Sequence, residues 1–256
     1  MRDETDKSIV FHLLKDGRIS QKRLAKLIGI TESSLSYRIN NLKEEGIIKG
    51  FSLFVNPNLL NSHYAFLAFP NTKSFDSENV FMKFTCLEEF NVYGVQAKRE
   101  EFDQLISSLF DELGEPIMTY IPQQNVRELR PYELRLIKAL REDPRASPGE
   151  LARRMGASVR FVANTLNSML SKGDVRVIPQ VDLSRLKALI LAIFSKGEFN
   201  LMDPCRVLKV SSDEGVVDIC FVHDLKLADG LVKQVKKSDI SSKVMIVTNF
   251  QVKSAF

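Results

Sequence analysis

Apolar residues in this chain recur with a helical period in two stretches that read alike. In the first, Ile9, Val10, Leu13 and Leu14 line one helical face, which Asp16-Gly17 closes. Ser20 stands as the N-cap of a short helix with Leu24, Ala25 and Ile28 on its inner side. Gly29 offers a tight turn, where a β-carbon is costly at positive φ. Thr31 caps a third helix that packs through Leu35, Ile39 and Leu42 and stops at Gly46. The β-prone residues Ile47, Ile48, Phe51, Leu53 and Val55 follow and predict a strand or wing leaving that helix.

Sliding the chain by 127 positions lays a second stretch on the first without a gap. Ile9 falls on Leu136, Leu13 on Leu140, Asp16 on Asp143, Arg18 on Arg145, and Ser20 on Ser147. Leu24-Ala25 falls on Leu151-Ala152, Gly29 on Gly156, Thr31 on Ser158, Ile39 on Leu166, Leu42 on Met169, and Gly46 on Gly173. The matches lie at caps, turns and core positions, which is what a repeated fold requires. In the second stretch Ser147-Pro148-Gly149-Glu150 is a capping box with proline at the first helical position. Val162, Leu166 and Met169 form the inner face of its third helix, and Val175, Val177, Ile178 and Val181 its strand. A short helix, a glycine turn and a longer helix make a helix-turn-helix, whose second member can enter a major groove.

After each of these stretches the pattern becomes mixed. The first predicts strands over 64–69, 91–96 and 117–121, with helices over 77–85 and 100–113. The second predicts strands over 188–194, 206–210, 216–222 and 243–249, and a helix over 225–237. Each is a degenerate ferredoxin-like βαββαβ unit: the first reads as short of its third strand, the second as lacking its first helix. Packed sheet to sheet, two imperfect halves complete one another. The fold class is therefore α+β, as winged helix-turn-helix 1–55, ferredoxin-like domain 56–122, winged helix-turn-helix 123–182 and ferredoxin-like domain 183–256.

Charge sharpens this picture. Residues 1–50 hold ten Lys/Arg against seven Asp/Glu, and residues 130–180 ten against five, although the whole chain carries only +4. Two basic blocks in an otherwise acidic chain point to a polyanionic partner, double-stranded DNA. On the helix at 31–45, Ser33, Ser34, Ser36, Tyr37, Arg38 and Asn41 face outward and carry the donors and acceptors that read base edges. Lys22, Arg23 and Lys26 on the preceding helix, with Lys43 and Lys49, suit phosphate contacts. In the second copy Arg153, Arg154, Arg160 and Asn164 are the corresponding candidates. Its outward Val159 and Phe161 fit a groove less well and leave open a protein contact instead.

The remaining composition excludes more than it adds. With 44% hydrophobic and 27% charged residues and no long apolar run, the chain reads as a soluble cytoplasmic protein; its charged start, Met1-Arg2-Asp3-Glu4, is unlike a signal peptide. Cys86, Cys205 and Cys220 have no metal or disulfide spacing, and no nucleophile motif or phosphate loop is present, so neither a metal nor a cofactor is expected.

The runs Asp6-Lys7-Ser8-Ile9, Asp16-Gly17-Arg18-Ile19-Ser20, Leu24-Ala25 and Gly29-Ile30-Thr31 resemble the Lrp/AsnC family of feast/famine regulators. So do Ser34-Leu35, Arg38-Ile39, Leu42 and Glu45-Gly46-Ile47-Ile48. The resemblance implies a transcription regulator that is not an enzyme, with a ferredoxin-like domain that mediates dimerisation and binds amino-acid effectors. It also implies homodimers or larger assemblies on palindromic operators. The tandem arrangement departs from the family, since one chain imitates a family dimer. The glycine-and-aspartate stretch of the family's effector site is not recognisable, so no effector residues are assigned. Two other readings stand beside this one. Siroheme decarboxylases resemble the same family, but they need basic and imidazole groups around a tetrapyrrole, and only His12, His63 and His223 are present. A protein-interaction adaptor on the same scaffold is the other.

Overall fold

The caps offered by the sequence start the helices. The computed structural model describes residues 3–87, 90–212 and 215–253; Met1 and Arg2 of the charged start and the last three residues of the 183–256 segment lie outside them. Helix α1 (Glu4–Lys15) starts on Asp3, α2 (Gln21–Ile28) on Ser20 and α3 (Glu32–Glu44) on Thr31, each cap side chain accepting a backbone N–H of the first turn. Gly29, at φ +80°, ends α2; a β-carbon there would touch nothing, so glycine is needed for its conformation, not for space. The set recurs as α5 (Pro131–Glu142), α6 (Pro148–Met155) and α7 (Val159–Ser171), with Ser147 and Glu150 forming the expected capping box.

The strands after α3 and α7 do not form separate wings. β1 (Ile48–Val55) and β6 (Val175–Val181) pair antiparallel with each other, Phe51 opposite Pro179 and Ser52 opposite Ile178. Each helix-turn-helix supplies one strand, and an unpaired strand leaves a row of backbone donors and acceptors unmet; the two strands satisfy one another. The contacts are reciprocal. Asp182 N donates to Ile47 O and Asn56 N to Asp174 O, while Arg18 donates to Pro144 O and Ala146 O, and Arg145 to Ile19 O. Arg18 and Arg145, related by the 127-residue offset, thus exchange equivalent bonds, and the central pairs of the ribbon, Phe51 with Pro179 and Ser52 with Ile178, are related in the same way.

Gly17 shows how tightly this junction is built. A β-carbon on Gly17 would lie 2.2 Å from the carbonyl oxygen of Val177 in β6. The obstacle is backbone, so the corner after α1 or the ribbon itself must shift. Gly17→Ala is expected to cost about 1–3 kcal/mol of stability, as overpacking does, read from the denaturant midpoint. An unchanged midpoint would contradict the contact.

The rest of the chain makes one sheet. β2 (His63–Phe69), β3 (Val80–Cys86), β4 (Asn91–Ala97) and β5 (Met118–Tyr120) form the first half, and β7 (Leu189–Ser195), β8 (Arg206–Ser212), β9 (Gly215–Val222) and β10 (Lys243–Val252) the second. The order is β5-β2-β4-β3-β10-β7-β9-β8, so both halves share one ferredoxin-like order and join antiparallel through β3 and β10. Helices α4 (Arg99–Leu113) and α9 (Leu225–Ser238) each cover one half. A short helix, α8 (Leu183–Leu186), links the ribbon to β7.

Two expectations are corrected. Residues 77–85 hold strand β3, not a helix: this inner strand is flanked by β4 and β10, and Val80, Phe81 and Met82 are all buried, which blurs the alternation that marks a strand. The first half therefore has all its strands, and both halves lack the first helix. Residues 70–79 between β2 and β3 are too few for a covering helix with its two loops. Phe75 from that loop packs against Tyr93 instead, and the Tyr93 hydroxyl donates to Lys73 O and accepts from Phe75 N.

Candidate nucleic-acid interface

The Ser20 cap and the Gly29 turn set α2 and α3 against α1 through Leu24, Ala25, Leu35, Ile39 and Leu42. Burial of those residues leaves Lys22, Arg23 and Lys26 exposed along α2, and Ser33, Tyr37 and Lys43 exposed on α3. Ser36 is half-buried beside them. Asn40 is exposed too and, three or four residues on from Ser36 and Tyr37, completes their row. Helical spacing alone would have found it. Lys49 is exposed and pairs with Asp182 at 3.3 Å.

Ser34, Arg38 and Asn41 form a different row, half-buried. Arg38 reaches back to α1 and holds Asp3 at 2.8 Å and Asp6 at 2.9 Å. Its guanidinium, expected to face a partner, is engaged by two carboxylates and fixes the angle between α1 and α3. In the second copy the positions equivalent to Asp3, Asp6 and Arg38 are Arg130, Glu133 and Thr165, and no such clamp forms. Glu133 is taken by Arg127, which also holds Asp174, each at 2.8 Å. A groove of about 590 Å3 opens there between α5 and α7, lined by Tyr132, Phe161, Asn164 and Thr165. Phe161 stands edge-on to Tyr132, with ring centres 5.3 Å apart. Arg153, Arg154, Arg160 and Asn164 are exposed, and Arg154 pairs with Glu142 at 3.4 Å. The second surface is therefore basic, with the Tyr132–Phe161 ring pair at its edge.

Carboxylates at these joints are held below their usual range. Burial works against the charge of Asp3 and of Glu133, but in each case a helix N–H and an arginine outweigh it. Asp182 is pulled down to about 2 by the Ser184 hydroxyl, the Arg185 N–H and Lys49. A carboxylate depressed in the folded state stabilises it fully above the unfolded value, here 3.8–4.5, and loses that contribution as pH falls toward the folded one. The melting temperature is expected to be level from pH 7 to about 5 and to fall steadily below about 4.5. A flat profile down to pH 3 would contradict these pairings.

Histidines and cysteines form no common centre. His12 packs beside Phe11, His63 beside Phe102, and His223 bonds Glu4 at the start of α1. Cys205 and Cys220, distant in sequence, meet across β8 and β9; that contact lowers the first thiol and, with burial, raises the second. Among the described residues no cluster of three or more His, Cys, Asp or Glu could hold a metal ion, and no helix is long and apolar enough to cross a membrane.

Comparison with known proteins bears on this geometry. The family described as winged helix-turn-helix DNA-binding matches residues 2–49. The chain is 42% identical over 67 residues to the HTH-type transcriptional regulator FL11 of Pyrococcus furiosus, covering 26% of this chain and 43% of that protein. It is 32% identical over 111 residues to a proline dehydrogenase transcriptional activator of Rhizobium radiobacter, covering 43% of this chain and 67% of that protein. The chain thus spans about two fifths of the first curated relatives it matches. Among solved structures, the siroheme decarboxylase NirDL overlies 98% of the chain and 93% of its own length at 13% identity, with a TM-score of 0.45. That likeness is too distant to carry function.

Proposed function

This chain belongs to the Lrp/AsnC family of transcriptional regulators, and from that premise we propose that it binds double-stranded DNA in the cytoplasm as a sequence-specific regulator. The observation that carries the reading is the row Ser33, Ser36, Tyr37 and Asn40 on α3, flanked by Lys22, Arg23 and Lys26 on α2. The row offers hydroxyls and an amide to base edges in the major groove, and the cations meet phosphates on either side. Arg38 contributes by holding α3 in place. Arg153, Arg154 and Arg160 of the second copy supply further phosphate contacts, with Asn164 facing its groove. Two helix-turn-helix units joined by the β1–β6 ribbon suit two half-sites on one duplex, and a homodimer would present four such units to a symmetric operator. Its relatives are named as regulators, which favours this reading over catalysis.

The test is selection of random genomic fragments by the intact protein at moderate salt, followed by sequencing. Enrichment of a shared, roughly palindromic motif is the expected result. Retention without a motif would replace a sequence-specific regulator with an architectural binder, and no retention would overturn the proposal.

A further inference from the structure

Two of the chain's three cysteines are brought side by side by the fold. Cys205 ends the loop between β7 and β8, and Cys220 lies in β9. Cys205 stands one residue before Arg206, the ladder partner of Cys220, and its carbonyl oxygen accepts Phe221 N at 2.8 Å. Adjacent strands run about 4.8 Å apart, and disulfides bridge Cα separations of roughly 4.4–6.8 Å. Both side chains enter the apolar cluster beneath α9, with Leu191, Met202 and Val235, and the two thiols are in contact. Cys86 is remote from them: it lies in β3, with β10 and β7 between it and β9.

The two thiols differ in kind. Cys220 is fully buried, whereas Cys205 is half-buried beside the exposed Asp203 and Pro204, on the side from which a small molecule can approach. The Cys205 thiol donates to Met202 O at 3.3 Å. Contact with Cys220, helped by the Arg206 guanidinium, holds the Cys205 thiol below its usual value against the effect of burial. The nearby Asp218 opposes this, but its carboxylate is paired with Arg206. Contact with Cys205 and burial push the Cys220 thiol up. A half-exposed thiol that ionises readily, with a second thiol in reach, is how a peroxide-reactive cysteine and its resolving partner are arranged. In a reducing compartment such a pair stays as thiols until an oxidant arrives.

We propose that Cys205 and Cys220 form a reversible dithiol–disulfide pair, oxidised by a hydroperoxide, whose disulfide staples the loop at 196–205 to β9. The pair does not depend on the DNA-binding reading above. In the first step the Cys205 thiolate attacks one oxygen of the peroxide and the O–O bond breaks. The other oxygen leaves as hydroxide and takes up the proton that Cys205 released, giving water and a sulfenic acid on Cys205. In the second step the Cys220 sulfur attacks Cys205 Sγ and the S–O bond breaks. The departing hydroxide takes the Cys220 proton, giving a second water and the disulfide. The two thiols together lose two electrons and two protons, and the peroxide accepts both. The loop so tied covers the half-sheet where a ferredoxin-like unit carries its first helix, and Met202 within it is fully buried.

The test treats the reduced full chain with hydrogen peroxide, removes the excess with catalase, and blocks the remaining thiols with N-ethylmaleimide in denaturant before intact mass analysis. Expected is the loss of two of the three blockable thiols, with Cys86 still labelled. A non-reducing digest should yield a linked Cys205–Cys220 peptide, and dithiothreitol should restore all three thiols. Cys220→Ala should instead leave Cys205 as a sulfenic acid that dimedone traps, and Cys205→Ser should leave both remaining thiols blockable. Backbone hydrogen exchange over 196–205 should slow in the oxidised chain. Circular dichroism reports whether each variant folds; should one fail, the disulfide map of the unaltered chain still decides. Three thiols left intact, oxidation confined to Cys86, or a disulfide between two chains would overturn the pair. Sulfinic acid at Cys205 of the unaltered chain, with no disulfide, would overturn Cys220 as the resolving partner. A disulfide that leaves exchange over 196–205 unchanged would overturn the staple.

Discussion

Replacing Arg206 with methionine is expected to destabilise the protein by about 3–5 kcal/mol, the range for stranding a buried charge by removing its partner. Asp218 in β9 is fully buried, and Arg206 in β8 donates to its Oδ1 at 2.5 Å. Its other oxygen, Oδ2, has no hydrogen-bond partner. The same guanidinium bonds Phe199 O at 2.8 Å and Asp203, so it also pins the loop between β7 and β8. Asp218 sits in a strand with β7 on one side and β8 on the other. Equilibrium denaturation of Arg206→Met measures the loss. The double variant Arg206→Met with Asp218→Leu should recover most of it, because an apolar pair replaces two charges that were costly to bury. Equal losses in the single and double variants would mean that packing, not the stranded carboxylate, sets the cost.

The second large effect concerns DNA. Changing Lys22, Arg23 and Lys26 together to alanine is expected to lower the slope of log affinity against log salt by about 2–3, since each phosphate contact releases about 0.9 counterion equivalents. By the same relation, affinity near 0.15 M salt falls by about two orders of magnitude. All three side chains are exposed on α2 and none caps a helix, so the fold should survive; thermal denaturation checks it. The loss should be uniform across sequences, because phosphate contacts carry no base information. Tyr37→Ala and Asn40→Ala should instead relax the motif while leaving the slope nearly unchanged. A triple variant with the original slope would remove α2 from the interface.

Most helices were legible because their signals are local. Asp16-Gly17, Ser20, Gly29, Thr31 and the Ser147–Glu150 box act within a few residues of themselves, and the caps form as the sequence implies. The candidate site was legible to the extent that exposure follows helical spacing, as at Lys22, Lys26, Ser33 and Tyr37. Arg38 carried no mark of its clamp, since its partners Asp3 and Asp6 lie on another helix and a lone arginine on a polar face looks the same whether engaged or free. β3 was misread for a related reason: an inner strand covered on both faces loses the period that distinguishes a strand.

The sequence by itself determined where chain segments become helices, where they turn, and that one pattern occurs twice, because caps, periodicity and glycine turns act over a few residues. Only the tertiary structure decided how the two copies meet. The pairing of β1 with β6, the exchange between Arg18 and Arg145 and the closeness of Gly17 to Val177 each join residues more than a hundred positions apart. Such contacts form because a lone strand needs a partner and an apolar face needs cover. Those needs can be read along the chain, but which distant segment meets them is settled only when the chain is folded.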